Sequence, residues 1–321
     1  MKTRIHTSTA TFGYLLAVIG SACYGLNPLF AIPLYDKGVT PMSVLFYRYA
    51  ISTMLIGMYM LSRGKSFRLT KNEALATTVM GCLFAGSSAG LFYSFKYMDP
   101  GLASVILFTY PLFVALLSWL VFHENMSRNT FLCIIVAMFG IYLLDQSSTG
   151  GSISMTGMFL AVMSGLTYAI YLIGVNRSVL KTMDISRLSF FALAFGTVIF
   201  FAFCNFGKDM TPLASMESWA NAAGLAVFPT VISLLLITRS IHIIGSTPAS
   251  IIGALEPITA LAISLAVFGG VLTGRNIIGI LLVLAAVLFM VYSNNRAAKT
   301  HTSAIKKQED IQQQSDIHAI T

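Results

Sequence analysis

The sequence predicts an all-α polytopic membrane protein of ten transmembrane helices, arranged as two inverted five-helix repeats. Three observations support this prediction. The chain of 321 residues is 56% hydrophobic and only 10% charged, whereas ordinary soluble domains carry roughly 25% charged residues. Apolar runs of about 20 residues, the length that a helix needs to cross a bilayer, recur along nearly the whole chain. The two halves of the chain also resemble each other in sequence.

The predicted spans are helices rather than barrel strands, because polar and apolar residues do not alternate within the apolar runs. The N-terminal run begins like a signal peptide but continues toward Pro33 without a clear cleavage site, so we interpret it as a retained first span. The ten spans are predicted at residues 11–33, 41–62, 73–95, 102–122, 130–145, 155–175, 187–206, 218–238, 249–269 and 276–293. Residues 11–145 form the first predicted repeat, residues 155–293 the second, and residues 296–321 a polar tail that we expect to be disordered and cytoplasmic.

The positions of the basic residues predict the orientation of the spans in the membrane. With the N-terminus inside, fifteen Lys and Arg residues fall on the inner side and four on the outer side, and Arg48 lies within a span. An excess of Lys and Arg in cytoplasmic connections is the rule for membrane proteins. We therefore attribute the net charge of +8 to topology rather than to nucleic-acid binding, and we expect both termini in the cytoplasm.

Two stretches of the first half align with the second half at nearly the same offset. GYLLAVIGSACYGL from Gly13 matches GMFLAVMSGLTYAI from Gly157, and ASVILFTYP from Ala103 matches ASIIGALEP from Ala249. Because each repeat has an odd number of spans, the second copy crosses the membrane in the opposite direction. Such inverted repeats are typical of secondary transporters, which bind their substrate at the interface between the repeats.

The first and sixth spans carry matching polar and aromatic residues near their middles. Tyr24, Asn27 and Pro28 lie in the first span, and Tyr168 and Tyr171 lie in the sixth. Phenol and amide groups offer hydrogen bonds and ring faces to a solute. The four polar side chains are therefore candidate substrate contacts, with anchoring at the membrane interface as the alternative for the tyrosines, and Pro28 is a candidate kink.

The second span contains a charged residue, Arg48, in the stretch YRYAIST. Its guanidinium is expected either to pair with Glu256 or bind an anionic group inside the protein, or to snorkel to the outer headgroups. In the third span, the stretch GSSAG from Gly86 to Gly90 is a GxxxG pattern, which favours close helix packing over dimerisation.

The fourth and ninth spans each carry a proline at the same position of the repeat. The alignment places Pro111 over Pro257 and Tyr110 over Glu256. A proline inside a helix removes one hydrogen bond and exposes carbonyl groups. We interpret the two prolines as kinks or hinges that line a transport pathway, with inert kinks as the alternative, and Tyr110 as a further candidate substrate contact.

Glu256 is the one acidic residue of twelve that lies inside a predicted span; the others lie at span ends, in connections or in the tail. A carboxylate at membrane depth is costly and is by default a functional candidate. We expect Glu256 to bind an amine or other cation, or to load and release a proton during transport. The alternative is a structural role in capping backbone groups that Pro257 leaves free. Glu124 and Arg128, at an inner membrane edge, are expected to form an i, i+4 surface pair.

These stretches together resemble the drug/metabolite transporter superfamily, and within it the EamA-domain transporters. The resemblance rests on ASVILFTYPLFVALLSWLVFHENMSRN, with Pro111, Trp119 and Glu124, and on ASIIGALEPITALAISLAVFGG, and it covers residues 11–293. It implies a ten-helix inner-membrane carrier of two EamA repeats, most of whose bacterial relatives export amino acids, other metabolites or drugs. Where relatives often carry a second glutamate, this chain has Gly270, which aligns with Glu124, so a matched carboxylate pair is not implied.

We therefore expect a secondary transporter, an inner-membrane exporter of small metabolites such as amino acids that works by alternating access. The four cysteines are scattered singly, the histidines form no cluster with metal-ligand spacing, and no GxxxxGK(S/T) motif is present, so no metal or cofactor is predicted. The expected partners are a small-molecule solute, the lipid bilayer and protons, and the oligomeric state is left open. The alternatives are a membrane-embedded enzyme acting on lipid-linked substrates, which needs clustered catalytic groups, and a sensor, which normally carries a signalling domain.

Overall fold

The computed structural model describes residues 2–124, 126–145 and 154–293, and these residues form α-helices joined by short connections. The first half of the chain forms α1 (Lys2–Gly25), α2 (Asn27–Asp36), α3 (Pro41–Ser62), α4 (Lys71–Ser94), α5 (Pro100–Leu107), α6 (Tyr110–Phe122) and α7 (Arg128–Asp145). The second half forms α8 (Met155–Arg177), α9 (Ile185–Phe203), α10 (Met216–Ala226), α11 (Ser233–Ile244), α12 (Ser246–Ile252), α13 (Leu255–Val267) and α14 (Gly274–Ser293). The polar tail predicted at residues 296–321 lies outside the described residues.

These helices provide the ten predicted membrane crossings. Within the described residues, eight helical segments are long and apolar enough to span a bilayer, and Arg128–Leu144 and Leu255–Val267 are shorter apolar helices. α12 directly precedes the second of these and extends it toward a full crossing. The chain is therefore an all-α, multi-pass integral membrane protein, which confirms the predicted fold class.

Several crossings are interrupted near prolines. Pro28 is the second residue of α2, and Pro111 is the second residue of α6. Pro257 lies in the first turn of α13. Proline is tolerated at these positions because the first N–H groups of a helix have no partner within that helix. The three prolines therefore lie directly after the breaks in these crossings. The eighth crossing instead widens into a π-helical turn at Val227–Ile232.

The crossings form two bundles, each with helices from both halves of the chain. The first bundle contains α1, α2, α3 and α10–α13, and in it α1 packs on α11 and α13 while α3 packs on α10. The second bundle contains α4, α5, α6, α8 and α9, and in it α4 packs on α8 and α9 while α8 packs on α5 and α6. An inverted duplication explains why each bundle takes helices from both halves. α8 is the repeat equivalent of α1, and α4 is the repeat equivalent of α11, so the α8–α4 contact repeats the α1–α11 contact.

The two bundles meet along the second and seventh crossings, where α3 packs on α9, and along the fourth and ninth crossings, where α5 packs on α13. In the repeat, α12 is the equivalent of α5, and α6 is the equivalent of α13. Within the described residues, α6 and α12 form no comparable interface. The connections 63–70 and 178–184 lie together at one face of the membrane domain, where Lys65 pairs with Asp184 and Arg177 pairs with Glu124. We call it the basic face. Since α5 and α13 lie toward the other face, the fourth and ninth crossings touch there and separate toward the basic face.

Candidate substrate cavity

The breaks of the first, fourth and ninth crossings surround a cavity of about 290 Å³, which we call the central cavity. Six of the predicted site residues line it: Tyr24, Arg48, Tyr110, Tyr168, Tyr171 and Glu256. Tyr24, Arg48 and Glu256 belong to the first bundle, and the other three belong to the second. The central cavity therefore lies between the bundles, where both repeats contribute side chains.

Glu256 lies in the first turn of α13, immediately before Pro257. The unpaired N–H groups and the dipole at the start of a helix favour a negative charge at such a position. The end of α1 comes very close here, since a Cβ on Gly25 would lie 2.5 Å from the carbonyl oxygen of Glu256. Glycine has no Cβ, so Gly25 lets the end of α1 approach α13, and Tyr24 and Glu256 line the same cavity.

Arg48 is covered by protein rather than by lipid headgroups, with only 3% of its surface exposed. Its Nε donates to Thr230 Oγ1 at 2.9 Å, and its guanidinium carbon lies 5.2 Å from the centroid of the Phe92 ring. The snorkelling alternative does not hold, because the π-helical turn supplies a buried acceptor. Arg48 and Glu256 line the same cavity, yet in the described part of the chain no ion pair within 4.0 Å joins them.

Aromatic rings form one wall of the central cavity. The Tyr110 ring meets Tyr168 edge to face at 4.8 Å between centroids, and Tyr168 stacks on Tyr171 at 5.8 Å. Phe84 packs beside Tyr171 at 5.2 Å. Such a wall presents ring faces that attract cations and hydroxyl groups that form hydrogen bonds.

The remaining predicted site residues do not line the central cavity. The side-chain amide of Asn27 donates to the carbonyl oxygen of Tyr24 at 2.8 Å, so this residue holds the backbone at the break between α1 and α2. Pro28 and Pro257 are buried, and Pro111 lines a second cavity. These four residues lie at the helix breaks that border the central cavity.

The structure adds residues that sequence reasoning missed. Thr230 holds Arg48, and Pro229 and Ser233 also line the central cavity. A signal was present, since Pro229 interrupts the apolar run VFPTVIS. The repeat alignment did not reveal it because the third crossing, the equivalent of the eighth, contains no proline, so this helix irregularity belongs to one repeat alone.

The GSSAG stretch of α4 packs closely on α8, as its pattern predicts. Ser87 Oγ donates to the carbonyl oxygen of Ser164 at 3.0 Å, and Ser164 Oγ donates to that of Ser87 at 2.6 Å. A Cβ on Gly90 would lie 3.0 Å from the carbonyl oxygen of Leu160. Small residues therefore let the two backbones approach and exchange hydrogen bonds.

Glu124 pairs with Arg177 instead of the predicted Arg128. α6 ends at Phe122, and His123 adopts a left-handed conformation with φ 54°. An i, i+4 pair needs a continuous helix between its members. The chain leaves the helix before Glu124, so the prediction of this pair was wrong.

Comparison with known proteins supports this architecture. A solved crystal structure superposes with a TM-score of 0.62 at 16% identity, covering 91% of this chain and 99% of that chain, and therefore shares the fold. The transporter YyaM of Bacillus subtilis, named as uncharacterized, is 28% identical over 258 residues, which is 78% of this chain and 84% of that protein.

Two further relatives carry transporter names. The uncharacterized transporter sll1319 of Synechocystis is 26% identical over 206 residues, 63% of this chain and 62% of that protein, so the match spans less than two thirds of its length. The pseudopaline exporter CntI of Pseudomonas aeruginosa is 25% identical over 227 residues, 70% of this chain and 75% of that protein. The model of the EamA-like transporter family matches residues 11–144 and 155–292, which together make up most of the sequence. This chain therefore belongs to the EamA-like transporter family.

Proposed function

We propose that this transporter exports small zwitterionic metabolites such as amino acids by alternating access, across the inner (plasma) membrane of a bacterium. One observation carries the proposal: Arg48 and Glu256, of opposite charge, face the same cavity between the repeats without pairing directly in the described structure. A guanidinium and an ionised carboxylate with space between them suit a ligand that carries both charges. The rest of the proposal follows from the surroundings of these two residues.

The lining of the central cavity supports an amino-acid-like solute. A guanidinium is the preferred partner of a carboxylate, so Arg48 would hold the solute's carboxylate. Glu256 would hold the ammonium group, which the ring faces of Tyr24 and Tyr168 also attract. A cavity of about 290 Å³ is near the lower end of the range for small-molecule sites, which favours a small metabolite.

Glu256 also supports coupling of transport to protons. One carboxylate cannot hold a proton and stabilise a solute ammonium at the same time, so the two compete for Glu256. Release of solute on one side and uptake of a proton there would then be linked, and deprotonation on the other side would prepare the carboxylate for the next solute. This is solute–proton antiport, which suits export against an inward proton gradient.

The contacts between the bundles support alternating access. At the face opposite the basic face, Ser264 donates to Asp99, and Tyr35 Oη donates to the carbonyl oxygen of Phe92 at 3.0 Å. The repeat offset maps Asp99 and Ser264 onto Gly245 and Ser118 at the basic face. A Cβ on Gly245 would meet nothing within 4 Å, so the equivalent contact is open. If the Asp99–Ser264 contact opened while the Gly245–Ser118 contact formed, the central cavity would close at the basic face and open at the other face.

Charge and kinship support the direction and the location. The basic face carries the excess of Lys and Arg, which favours cytoplasmic placement of this face and of both termini. A cavity closed at the other face is then positioned to load from the cytoplasm. The relatives described above are named transporters, and CntI is named an exporter, which favours a carrier over the membrane-embedded enzyme.

The test is solute flux through purified protein in liposomes, with and without a pH gradient. We would compare L-phenylalanine, L-leucine, L-lysine and L-glutamate in the wild type, Glu256→Gln and Glu217→Gln. Glu217 provides a matched control because it pairs with Lys37 away from the central cavity. We expect gradient-driven flux of a neutral zwitterion that Glu256→Gln abolishes and Glu217→Gln keeps. Wild-type flux that Glu256→Gln leaves unchanged in rate and pH dependence would refute the coupling, and no flux would refute the proposed solute class.

A further inference from the structure

A second cavity, of about 710 Å³, lies at the basic face between α6, α8, α14 and the α6–α7 connection. We call it the vestibule, and its wall includes Trp119, Glu124, Asn176, Arg177 and Met290. Phe108 and Tyr110 line both the vestibule and the central cavity. The two cavities are therefore neighbours that share these aromatic residues.

We infer that the vestibule is a second binding site, which takes an amphipathic zwitterion from the basic face before the solute passes Tyr110. This inference rests on the proposed function, because it assigns the same class of solute to both cavities. It adds a binding step and a set of recognition residues that the central cavity does not contain.

Opposite charges at the mouth of the vestibule give it the chemistry for a zwitterion. Glu124 and Arg177 form an ion pair whose side chains are 52% and 44% exposed, so both are within reach of solvent. Exposed ion pairs contribute little to stability, so separating this pair costs little free energy. A solute that inserts its ammonium beside Glu124 and its carboxylate beside Arg177 replaces one ion pair by two.

The walls below this ion pair select for an apolar side chain. Val114 and Trp119 of α6, Ile173 of α8 and Met290 of α14 line the vestibule. Trp119 remains 43% exposed, so its indole offers a broad apolar ring face to a ligand in the vestibule. The site therefore favours zwitterions with an apolar portion over small polar ones.

Tyr110 is placed to separate the two binding sites. Its ring packs edge to face on Tyr168 at 4.8 Å, and Phe108 packs edge to face on it at 6.1 Å. Tyr110 is also the residue of the first repeat that aligns with Glu256 of the second. A solute held at Glu124 and Arg177 would thus have to pass one aromatic side chain to reach the carboxylate of Glu256.

Tryptophan fluorescence tests this site directly, because the chain has two tryptophans. The Trp219 ring packs on Tyr47, and Trp219 does not line the vestibule. The Trp219→Phe variant therefore keeps Trp119 as its one tryptophan reporter. Titration with L-phenylalanine, which does not absorb at the wavelengths that excite tryptophan selectively, should change the Trp119 emission saturably. We expect Glu124→Gln to raise the apparent Kd about tenfold, a loss of about 1.4 kcal/mol.

Two variants separate the vestibule from the central cavity and from general misfolding. Glu256→Gln should leave the Trp119 titration in place; its loss would show that the signal comes from the central cavity and would overturn the inference. Glu124→Arg should abolish the response, and Glu124→Arg combined with Arg177→Glu should restore it, because opposite charges face the ligand again. Failure of the double variant to restore the response, with a wild-type melting temperature, would overturn the electrostatic assignment.

The outcomes for the vestibule and for the proposed function are distinguishable. Gradient-driven flux of L-phenylalanine without any saturable Trp119 response would overturn the vestibule site and leave the proposed function standing. A saturable response without flux of any tested solute would support the site and refute the proposed transport of this class.

Discussion

Local partners stabilise the two charged side chains of the central cavity, Arg48 and Glu256, at membrane depth. Each charge costs free energy in an apolar surrounding unless a partner or water compensates it. Arg48 has Thr230 and the Phe92 ring as local partners, and Glu256 has the start of α13. Both residues are therefore held in place while part of each charge remains available to a ligand.

Thr230 gives a residue-scale prediction that tests how Arg48 is held. Its Oγ1 accepts from Arg48 and donates to the carbonyl oxygen of Leu225 at 3.1 Å. Thr230→Val keeps the shape and removes the acceptor, so we expect a several-fold higher KM for the transported zwitterion, equivalent to about 1 kcal/mol. Thr230→Ser keeps the hydroxyl and should stay near the wild type. Equal KM values for Val and Ser variants would contradict this role.

The residues that sequence analysis identified share one property. Glu256, Arg48 and the mid-span tyrosines are chemically unusual within an apolar run, and the repeat alignment placed several of them in register. Thr230 was missed because threonine is common in membrane spans, where its hydroxyl can donate a hydrogen bond to a carbonyl oxygen of its own helix. Its importance arises from a helix of the other repeat, and that contact is invisible in the sequence.

At the scale of helices, polar contacts join α3 and α9, or the connections that adjoin them, at both faces. At the face opposite the basic face, Thr211 N donates to Ser43 Oγ at 2.9 Å. At the basic face, Lys65 donates to Asp184 at 2.9 Å and to Ser186 Oγ at 3.1 Å. The α3–α9 interface is therefore closed at both faces, whereas the fourth and ninth crossings are closed at one.

Asp184 gives an element-scale prediction for pH. Partial burial tends to raise the pKa of its carboxyl, but the hydrogen bonds from Lys65 and from the N–H groups of Arg187 and Ser186 outweigh it and the pKa is lowered. A lowered pKa means that Asp184 stabilises the fold above its unfolded-state pKa of about 4, and that this stabilisation disappears as the pH falls through the native pKa. The melting temperature of the wild type should therefore exceed that of Asp184→Asn near pH 7, with the difference vanishing in acid. A difference that does not change with pH would contradict this.

The close packing of α4 on α8 gives a second element-scale prediction. Gly90→Val would push a side chain against Leu160 and Ser164, so we expect destabilisation of roughly 1–3 kcal/mol from overpacking. Gly86 lies on the same helix and faces open space, so Gly86→Val is the matched control with the same propensity change. Equal melting temperatures for the two variants in detergent would contradict the assigned packing.

At the scale of the whole molecule, hydropathy and the internal repeat were sufficient to predict ten crossings and two inverted halves. Each crossing is an independent apolar run, so its position is encoded locally. The two bundles were not predictable in this way, because which helices pack together depends on side-chain contacts between distant segments, such as those of Ser87 with Ser164. The open face was not predictable either, since the α5–α13 and α6–α12 interfaces have equivalent sequences in the two repeats.

The central claim is that the fourth and ninth crossings close one face at a time. Cysteine cross-linking tests it in a background without the four native cysteines, Cys23, Cys82, Cys133 and Cys204. Asp99→Cys with Ser264→Cys places a pair at the closed face, and Ser118→Cys with Gly245→Cys places the equivalent pair at the basic face.

We expect the first pair to cross-link in resting protein and to block transport until it is reduced. The second pair should cross-link only while solute and a pH gradient are present, and should then block transport as well. Transport that continues with the first pair fully cross-linked, or equally fast cross-linking of the second pair at rest, would contradict alternating closure of the two faces.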